Sequence, residues 1–421
     1  MKVTLISPPS PFLINQKAFP SLGILYLAAV MEQQNIDVTV ADLTDKEDEL
    51  DAALQRFAGA DIYGVTATTP QYPQVLRILK TLRRQNPVAH IAVGGAHPSA
   101  IPEKCLQDGF NFVVIGEGEL SMIRLVTHLE AGQSLPNLIR APSIQEIDTI
   151  PRPARHLIDI RAYSYDIDGG QGATLITSRG CPYACAFCSK DAWQQGVRFH
   201  SVDYVVSELQ HLMDVYGFKH FLFLDDTLTI HKKRLFELCN RIKPFGIKWR
   251  CYARSSTTKE LLLAMKEAGC VEVGVGVESG SQKILDIVNK KETVEQNTRF
   301  VEACKEAGLI ANVFIMIGLP GETYETVEET RRWMERARPQ KFGFNIFMPY
   351  AGTPIYNHPE KFDIRIYDVP DERSWIKGRQ GEYASFVATR ELSREEILRL
   401  FGELFTYYTE LTKWRPGVGG K

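Results

Sequence analysis

Between residues 174 and 347 the chain repeats one pattern six times: a short apolar run ending in polar residues, then a stretch with helical spacing. The runs are Thr174-Leu-Ile-Thr177, Phe221 to Leu224, Lys248 to Tyr252, Val271 to Val277, Asn312 to Ile317 and Lys341 to Phe347. The stretch 201–216 between the first two carries Val202, Val205, Val206, Leu209, Leu212 and Met213 along one helical face. Strands alternating with helices of this length read as βα units, and βα units demand a parallel sheet. Six in succession predict a partial (β/α)6 barrel, with its ligand site at the carboxyl ends of the strands. Those ends carry Asp225-Asp226, Arg254, Glu278-Ser279, Gly318-Leu-Pro-Gly-Glu322 and Pro349-Tyr-Ala-Gly-Thr-Pro354.

The first run leads into Ser178-Arg-Gly-Cys-Pro-Tyr-Ala-Cys-Ala-Phe-Cys-Ser189, which holds Cys181, Cys185 and Cys188. A cube cluster held by protein alone takes four cysteines. Three thiolates in one loop can therefore hold three irons of a 4Fe–4S cube and leave the fourth open to a substrate or cofactor. Tetrahedral zinc wants a fourth Cys or His close by. The nearest histidine, His200, has no paired ligand, so zinc is the weaker reading. Cys105, Cys239, Cys251, Cys270 and Cys304 have no partner at ligand spacing and read as small buried hydrophobes.

Ahead of the barrel, short apolar runs at Val3–Ile6, Asp37–Val40, Ile62–Thr66, Ile91–Val93 and Phe112–Ile115 alternate with helical patterns at Leu22–Gln33, 47–58 and 71–85. This reads as a Rossmann-like open parallel sheet, whose ligands bind at the strand ends. The turns there are Thr66 to Thr69, Gly94 to Pro98 and Gly116 to Glu119. The expected organisation is a first domain over 1–135, a proline-rich linker over 136–170, the barrel over 171–355 and a small helical substrate-side segment over 356–421. Within that last segment Ser393-Arg-Glu-Glu396 is a capping box opening a helix. Tyr350, Trp375, Tyr383 and Phe386 are candidates either to wall a pocket or to pack as core around that helix.

With 421 residues the chain is too long for one ordinary core. Its formal net charge of −2 gives no electrostatic case for nucleic acid or an anionic membrane as partner. No apolar run approaches the roughly 20 residues of a membrane span, and the first residues read as a strand ending at prolines rather than a signal peptide. Eight cysteines in so long a chain make no disulfide framework, so a reducing, cytoplasmic setting is expected.

Cys181-x3-Cys185-x-Phe187-Cys188 resembles the radical SAM signature. Pro20-Ser-Leu-Gly23, Val93-Gly-Gly-Ala-His-Pro98 and Gly116-Glu-Gly-Glu119 resemble the domain that precedes the barrel in cobalamin-dependent radical SAM proteins. The resemblance covers nearly the whole chain and implies three cofactors: a 4Fe–4S cluster, S-adenosyl-L-methionine and cobalamin. It assigns the cluster to Cys181, Cys185 and Cys188. Phe187 would touch adenine, and Asp225 or Asp226 the methionyl amine or ribose. Arg254 would meet the methionyl carboxylate, Glu278 and Ser279 the ribose hydroxyls, and Gly318 the adenine. Cobalamin would lie against Leu22, Thr66, Thr68, Thr69, Gly94, Gly95, His97, Pro98, Gly116, Glu117 and Gly118. The Asp-x-His-x-x-Gly motif of many cobalamin carriers is missing, so no histidine of that motif ligates cobalt.

The implied activity is methylation of an unactivated carbon, or of phosphorus, in a small-molecule substrate. Alternatives are a cyclase, ring contraction or other rearrangement without net methyl transfer, and more distantly a methylthiotransferase. An external one-electron reductant of flavodoxin or ferredoxin type is implied, with no nucleic acid and no membrane as partner.

Overall fold

A computed structural model describes residues 1–190, 196–368 and 383–412. The chain divides into two compact units, one built on Met1–Ser164 and the other on Tyr165–Cys188, Val197–Val369 and the C-terminal segment.

The first unit is a sheet of β1 (Lys2–Ser7), β2 (Asp37–Asp42), β3 (Ile62–Thr66), β4 (His90–Gly94), β5 (Phe112–Val114) and β6 (Leu138–Ile139). The strands are all parallel, in the order β2-β1-β3-β4-β5-β6. β6 is drawn from the stretch 136–170, whose prolines gave no strand pattern of their own. Helices cover both faces, so the strands read as unbroken apolar runs rather than alternating ones. Val75, Ile78, Leu79 and Leu82 of the helix Tyr72–Gln85 pack with Tyr63, Val65, Ile91 and Val93 in one core. The helix expected over 47–58 is shorter, Leu50–Gln55, and is followed by a turn at Gly59 with φ +89°. The order reverses at β1, which places the topological switch point between the carboxyl ends of β1 and β3, where open α/β sheets bind ligands.

The second unit begins with an antiparallel pair, β7 (Tyr165–Ile167) and β8 (Gly170–Leu175). Two short strands, β9 (Ser178–Arg179) and β10 (Arg198–Phe199), pair antiparallel and close a hairpin around the cysteine loop. Then come β11 (His220–Phe223), β12 (Lys248–Ala253), β13 (Cys270–Glu278), β14 (Ile310–Ile317) and β15 (Lys341–Ile346). The sheet order is β15-β14-β13-β12-β11-β8-β7, with the six strands from β8 to β15 parallel. Both sheets and the helical C-terminal segment agree with the α/β architecture expected from the sequence. A hairpin of β16 (Ile364–Ile366) and β17 (Val387–Thr389) precedes the helix Arg394–Thr412. That helix opens on the expected capping box: Ser393 N–H donates to Glu396 Oε2 at 2.7 Å, and Glu396 N–H to Ser393 Oγ at 3.2 Å.

Alternation along the barrel strands separates two faces. Trp249, Cys251, Val273, Val275, Val313, Ile315 and Phe342 are buried. Arg250, Tyr252, Glu272, Gly274, Asn312, Phe314 and Lys341, the residues between them, share the opposite face. On the buried side Cys251 lies close enough to Cys239, Cys270 and Cys304 to interact electrostatically. Burial pushes the Cys239 and Cys304 thiols up to about 12, so both stay protonated and pack as small apolar groups.

Candidate active site

The cysteine loop is fixed at its base and in its middle. At the base Asp225, 1% exposed, accepts Thr177 N–H at 3.2 Å, Thr177 Oγ1 at 2.9 Å and the Ser178 hydroxyl. Burial pushes the Asp225 carboxyl up, and these donors together with Arg234 act against that shift. Arg234 holds the same point from its other side, donating to Thr177 O at 3.1 Å and His200 O at 2.8 Å. The Asp225 carboxylate, a candidate for the methionyl amine, is therefore directed at the root of the loop, whereas Asp226 is exposed. In the middle Ala186 is clipped twice: its N–H donates to Val288 O at 2.9 Å, and its carbonyl accepts Ile355 N–H at 3.2 Å. Asn289 Nδ2 adds a bond to Ala184 O at 2.7 Å. Cys185 ends up buried, Cys181 half-buried and Cys188 exposed; Phe187 is half-buried.

Arg254 reaches the loop from the end of β12. Its guanidinium stacks on the Tyr183 ring, 3.6 Å from the centroid, and one Nη lies 4.0 Å from Cys185 Sγ. The other Nη bonds Lys290 O and pairs with Glu292 Oε2 at 3.1 Å. Glu292 Oε1 in turn accepts Ser255 N–H at 2.6 Å and Ser255 Oγ at 2.7 Å. Lys290 Nζ bridges Glu278 Oε1 at 2.9 Å and Glu292 Oε2 at 3.6 Å. Two cations and two carboxylates thus neutralise one another at the rim while all four are buried. Burial alone would lower the Lys290 ammonium, but Glu278 and Glu292 outweigh it and leave it above the ordinary lysine range. Glu278 has φ +65°, next to a register shift in the β13–β14 pairing. A bulge and a left-handed non-glycine residue at a strand end are ways to re-aim a side chain, and they gather at functional sites.

The other predicted barrel residues have different surroundings. The Ser279 hydroxyl, fully buried, lies 3.2 Å from Thr330 Oγ1, on the helix Tyr324–Ala337. Gly318 has φ +93°, and a Cβ there would come within 3.2 Å of Ile397. Its N–H bonds Glu322, whose carboxyl is fully buried, with Oε1 making no hydrogen bond among the described residues. Burial pushes Glu322 up to about 8. Phe386 is buried and Tyr383 packs edge-on against Phe401, 4.5 Å between centroids, so both serve the core around the last helix. Trp375 lies outside the described residues.

Deeper on the same strand face, an aromatic layer and then a charged floor follow. Tyr252 and Phe314 stand 6.2 Å apart, and a Cβ at Gly274 would strike both rings. At the amino ends of the strands Glu272 takes Arg250 at 2.9 Å, Lys341 at 2.7 Å and Asn312 at 2.9 Å, while Arg250 also bonds Tyr165. Burial by itself raises Glu272, but Arg250 and Lys341 reverse this and hold it below the usual carboxylate range.

In the first unit the candidate residues lie along one edge, where side chains link successive strand ends. Gln71 Nε2 donates to Ser10 Oγ beyond β1 at 2.9 Å, and Gln71 Oε1 accepts Thr68 Oγ1 beyond β3 at 2.9 Å. Thr69 Oγ1 lies 3.2 Å from His97 Nδ1 beyond β4, and Ser99 Oγ accepts Gly116 N–H beyond β5 at 2.9 Å. Gly95, at φ +104°, has Ala67 O only 2.8 Å from where a Cβ would stand, so the chain there tolerates only glycine. His97 stacks on Tyr72, is buried, and is held neutral by burial, which lowers it to about 4. Its Nε2 makes no hydrogen bond among the described residues, a fit for a polar ligand atom. Leu22 belongs to the core, Gly118 packs against Leu27, and Glu117 Oε2 accepts Ile144 N–H at 3.2 Å.

Sequence reasoning missed Ser10, Gln71, Ser99, Lys290 and Glu292. Only the Thr-x-x-Gln spacing from Thr68 to Gln71 carried a signal.

Comparison with known proteins places the chain. The sequence model of the Radical SAM superfamily matches residues 175–334, and that of the B12 binding domain residues 16–126. An uncharacterized methyltransferase of Pyrococcus horikoshii is 34% identical, with 85% of this chain and 83% of that protein covered. An anaerobic magnesium-protoporphyrin IX monomethyl ester cyclase of Cereibacter sphaeroides is 29% identical over 73% of this chain and 55% of the cyclase. Among solved structures, the radical S-adenosylmethionine methyltransferase TsrM of Kitasatospora setae shares the fold. Its TM-score is 0.73 and its identity 20%, covering 88% of this chain and 82% of TsrM.

The chain belongs to the radical SAM superfamily, in the group whose barrel follows a B12-binding domain, and is an enzyme of that class. Its cofactors are a 4Fe–4S cluster, S-adenosylmethionine and cobalamin. Three thiols on a loop clipped beside a guanidinium suit an anionic cluster. No three Cys, His, Asp or Glu side chains among the described residues gather tightly enough for a single metal ion. The ligands of a cube each take a separate iron and stand further apart. No helix among the described residues is long and apolar enough to cross a membrane.

Proposed function

We propose that the chain is a cobalamin-dependent radical SAM methyltransferase acting on an unactivated carbon, or phosphorus, of a small molecule. The observation that carries this reading is the clipped three-cysteine loop at the barrel rim, in a chain 34% identical over most of its length to a protein named a methyltransferase. When bound, the cluster supplies an electron that cleaves S-adenosylmethionine, and cobalamin supplies a transferable methyl group. Cys181, Cys185 and Cys188 would hold the cluster, and S-adenosylmethionine would bind beside it. The neutralised network of Arg254, Glu278, Lys290 and Glu292 keeps the rim rigid without presenting a net charge. Tyr252 and Phe314 form an apolar wall below it that keeps water from a reactive carbon. Ser10, Thr69, Gln71 and His97 offer uncharged polar groups to cobalamin, with Gly95 holding the edge in shape. The electron comes from an external donor of flavodoxin or ferredoxin type. A reducing, cytoplasmic setting is in keeping with eight cysteines, none of them in a disulfide.

The likeness to a cyclase favours a second reading, ring formation or rearrangement with no net methyl transfer. Counting products separates the two. S-adenosylhomocysteine and 5′-deoxyadenosine formed in equal amounts with substrate support methylation. Continued 5′-deoxyadenosine without S-adenosylhomocysteine overturns it in favour of rearrangement.

A further inference from the structure

The segment Val288–Glu292, which supplies Lys290 and Glu292 to the rim network, also holds the cysteine loop directly. Val288 and Asn289 hold Ala186 and Ala184 by their backbone groups, at 2.9 and 2.7 Å. Lys290 and Glu292 hold Arg254, and Arg254 faces Cys185. Asn289 and Lys291 both sit at positive φ, +54° and +57°, so the backbone is bent twice to bring alternate side chains inward. Nothing about a loop clip requires a buried guanidinium aimed at a ligand sulfur, nor a buried carboxylate behind it.

We infer that Arg254 and Glu292 set the electron affinity of the cluster as an opposed pair: the guanidinium favours the reduced cube and the carboxylate behind it restrains that effect. Reduction adds a negative charge at the cube, so a cation against Cys185 stabilises the product and an anion one layer further out destabilises it. Charges this close, inside the protein, act far more strongly than in water. Arg254 is also held by Lys290 O and by the Tyr183 ring. Removing the charge of Glu292 therefore leaves the guanidinium in place but less compensated.

This inference rests on the three cysteines holding a cluster, and the experiment separates the two claims. The full chain is reconstituted anaerobically with iron and sulfide and titrated redox-potentiometrically, with the reduced cluster followed by electron paramagnetic resonance in the absence of S-adenosylmethionine. Arg254→Gln is expected to lower the reduced-to-oxidised ratio at a fixed potential about tenfold, about 59 mV downward for one electron. Glu292→Gln, which keeps shape and loses charge, is expected to raise that ratio, and Arg254→Lys to stay near the parent. Shifts in the same direction, or none, in variants that hold their iron overturn the inference, because loosening the loop cannot move the potential in opposite senses. A parent chain that takes up no iron overturns the cluster reading itself and this inference with it.

Discussion

Two parallel sheets in this chain present carboxyl strand ends to ligands, and they are made of opposite materials. The edge of the first sheet carries hydroxyls, a carboxamide, glycines and a neutral imidazole, joined strand to strand by hydrogen bonds. The rim of the barrel buries two cations and two carboxylates within reach of one another. The difference suits the ligands proposed for each. A broad macrocycle needs close backbone approach and polar groups that remain uncharged. An anionic cluster and a sulfonium amino acid need fixed charge, and buried charge survives only when it is paired. Common topology thus says where ligands bind, and the strand-end side chains say what kind.

The sharpest way to break this comparison is to remove one site and look at the other. Cys185→Ala should abolish 5′-deoxyadenosine formation and lower the iron content, while the absorbance of bound cobalamin persists. Loss of both cofactors together would mean that the two sites are not separately built.

The barrel's two charged layers should also part company. Glu272→Ala leaves the buried Arg250 and the half-buried Lys341 without their carboxylate and should cost about 3–5 kcal/mol of stability by denaturant unfolding, chiefly through Arg250. The cluster potential of the variant protein, where it still folds, should match the parent, because the floor lies at the opposite ends of the strands.

On the other side of the comparison, Gly95→Val forces a branched side chain into positive φ against Ala67 O. It should weaken cobalamin binding at least ~10-fold, about 1.4 kcal/mol, with iron content and cluster spectrum unchanged.

A further test is a slope with pH. Burial raises Glu322 to about 8 in the folded chain, so between roughly pH 4.5 and 8 the folded state holds a proton that the unfolded state has lost. Stability should therefore fall as pH rises through that window, by at most about 1.4 kcal/mol per unit, and level off above it. Glu322→Gln should flatten the curve in unfolding measurements at pH 5, 6, 7 and 8.

Much of the fold was legible because its signals are local. The helix Leu22–Gln33 and the strand Ile62–Thr66 have the limits their periodicity gave, and all six barrel strands lie where apolar runs meet polar ends. β6 was not legible: two residues between prolines become a strand only because β5 offers an open edge. Asp225 had the right address for a ligand-facing carboxylate, yet its oxygens are directed to Thr177 and Ser178, some 48 residues away in sequence. Lys290 and Glu292 follow a helix in a polar stretch, Asn289-Lys-Lys-Glu-Thr293, that reads locally as a solvated turn.

Spacing along the chain determined the succession of βα units and the three-cysteine loop, since hydrophobic period and ligand spacing are properties of neighbouring residues. Tertiary structure alone decided which charges face Cys185, that Ser10 and Gln71 join two strand ends, and that three other cysteines gather around Cys251. Those outcomes depend on contacts between segments far apart in sequence, and the strength of a charge there depends on burial that only packing creates.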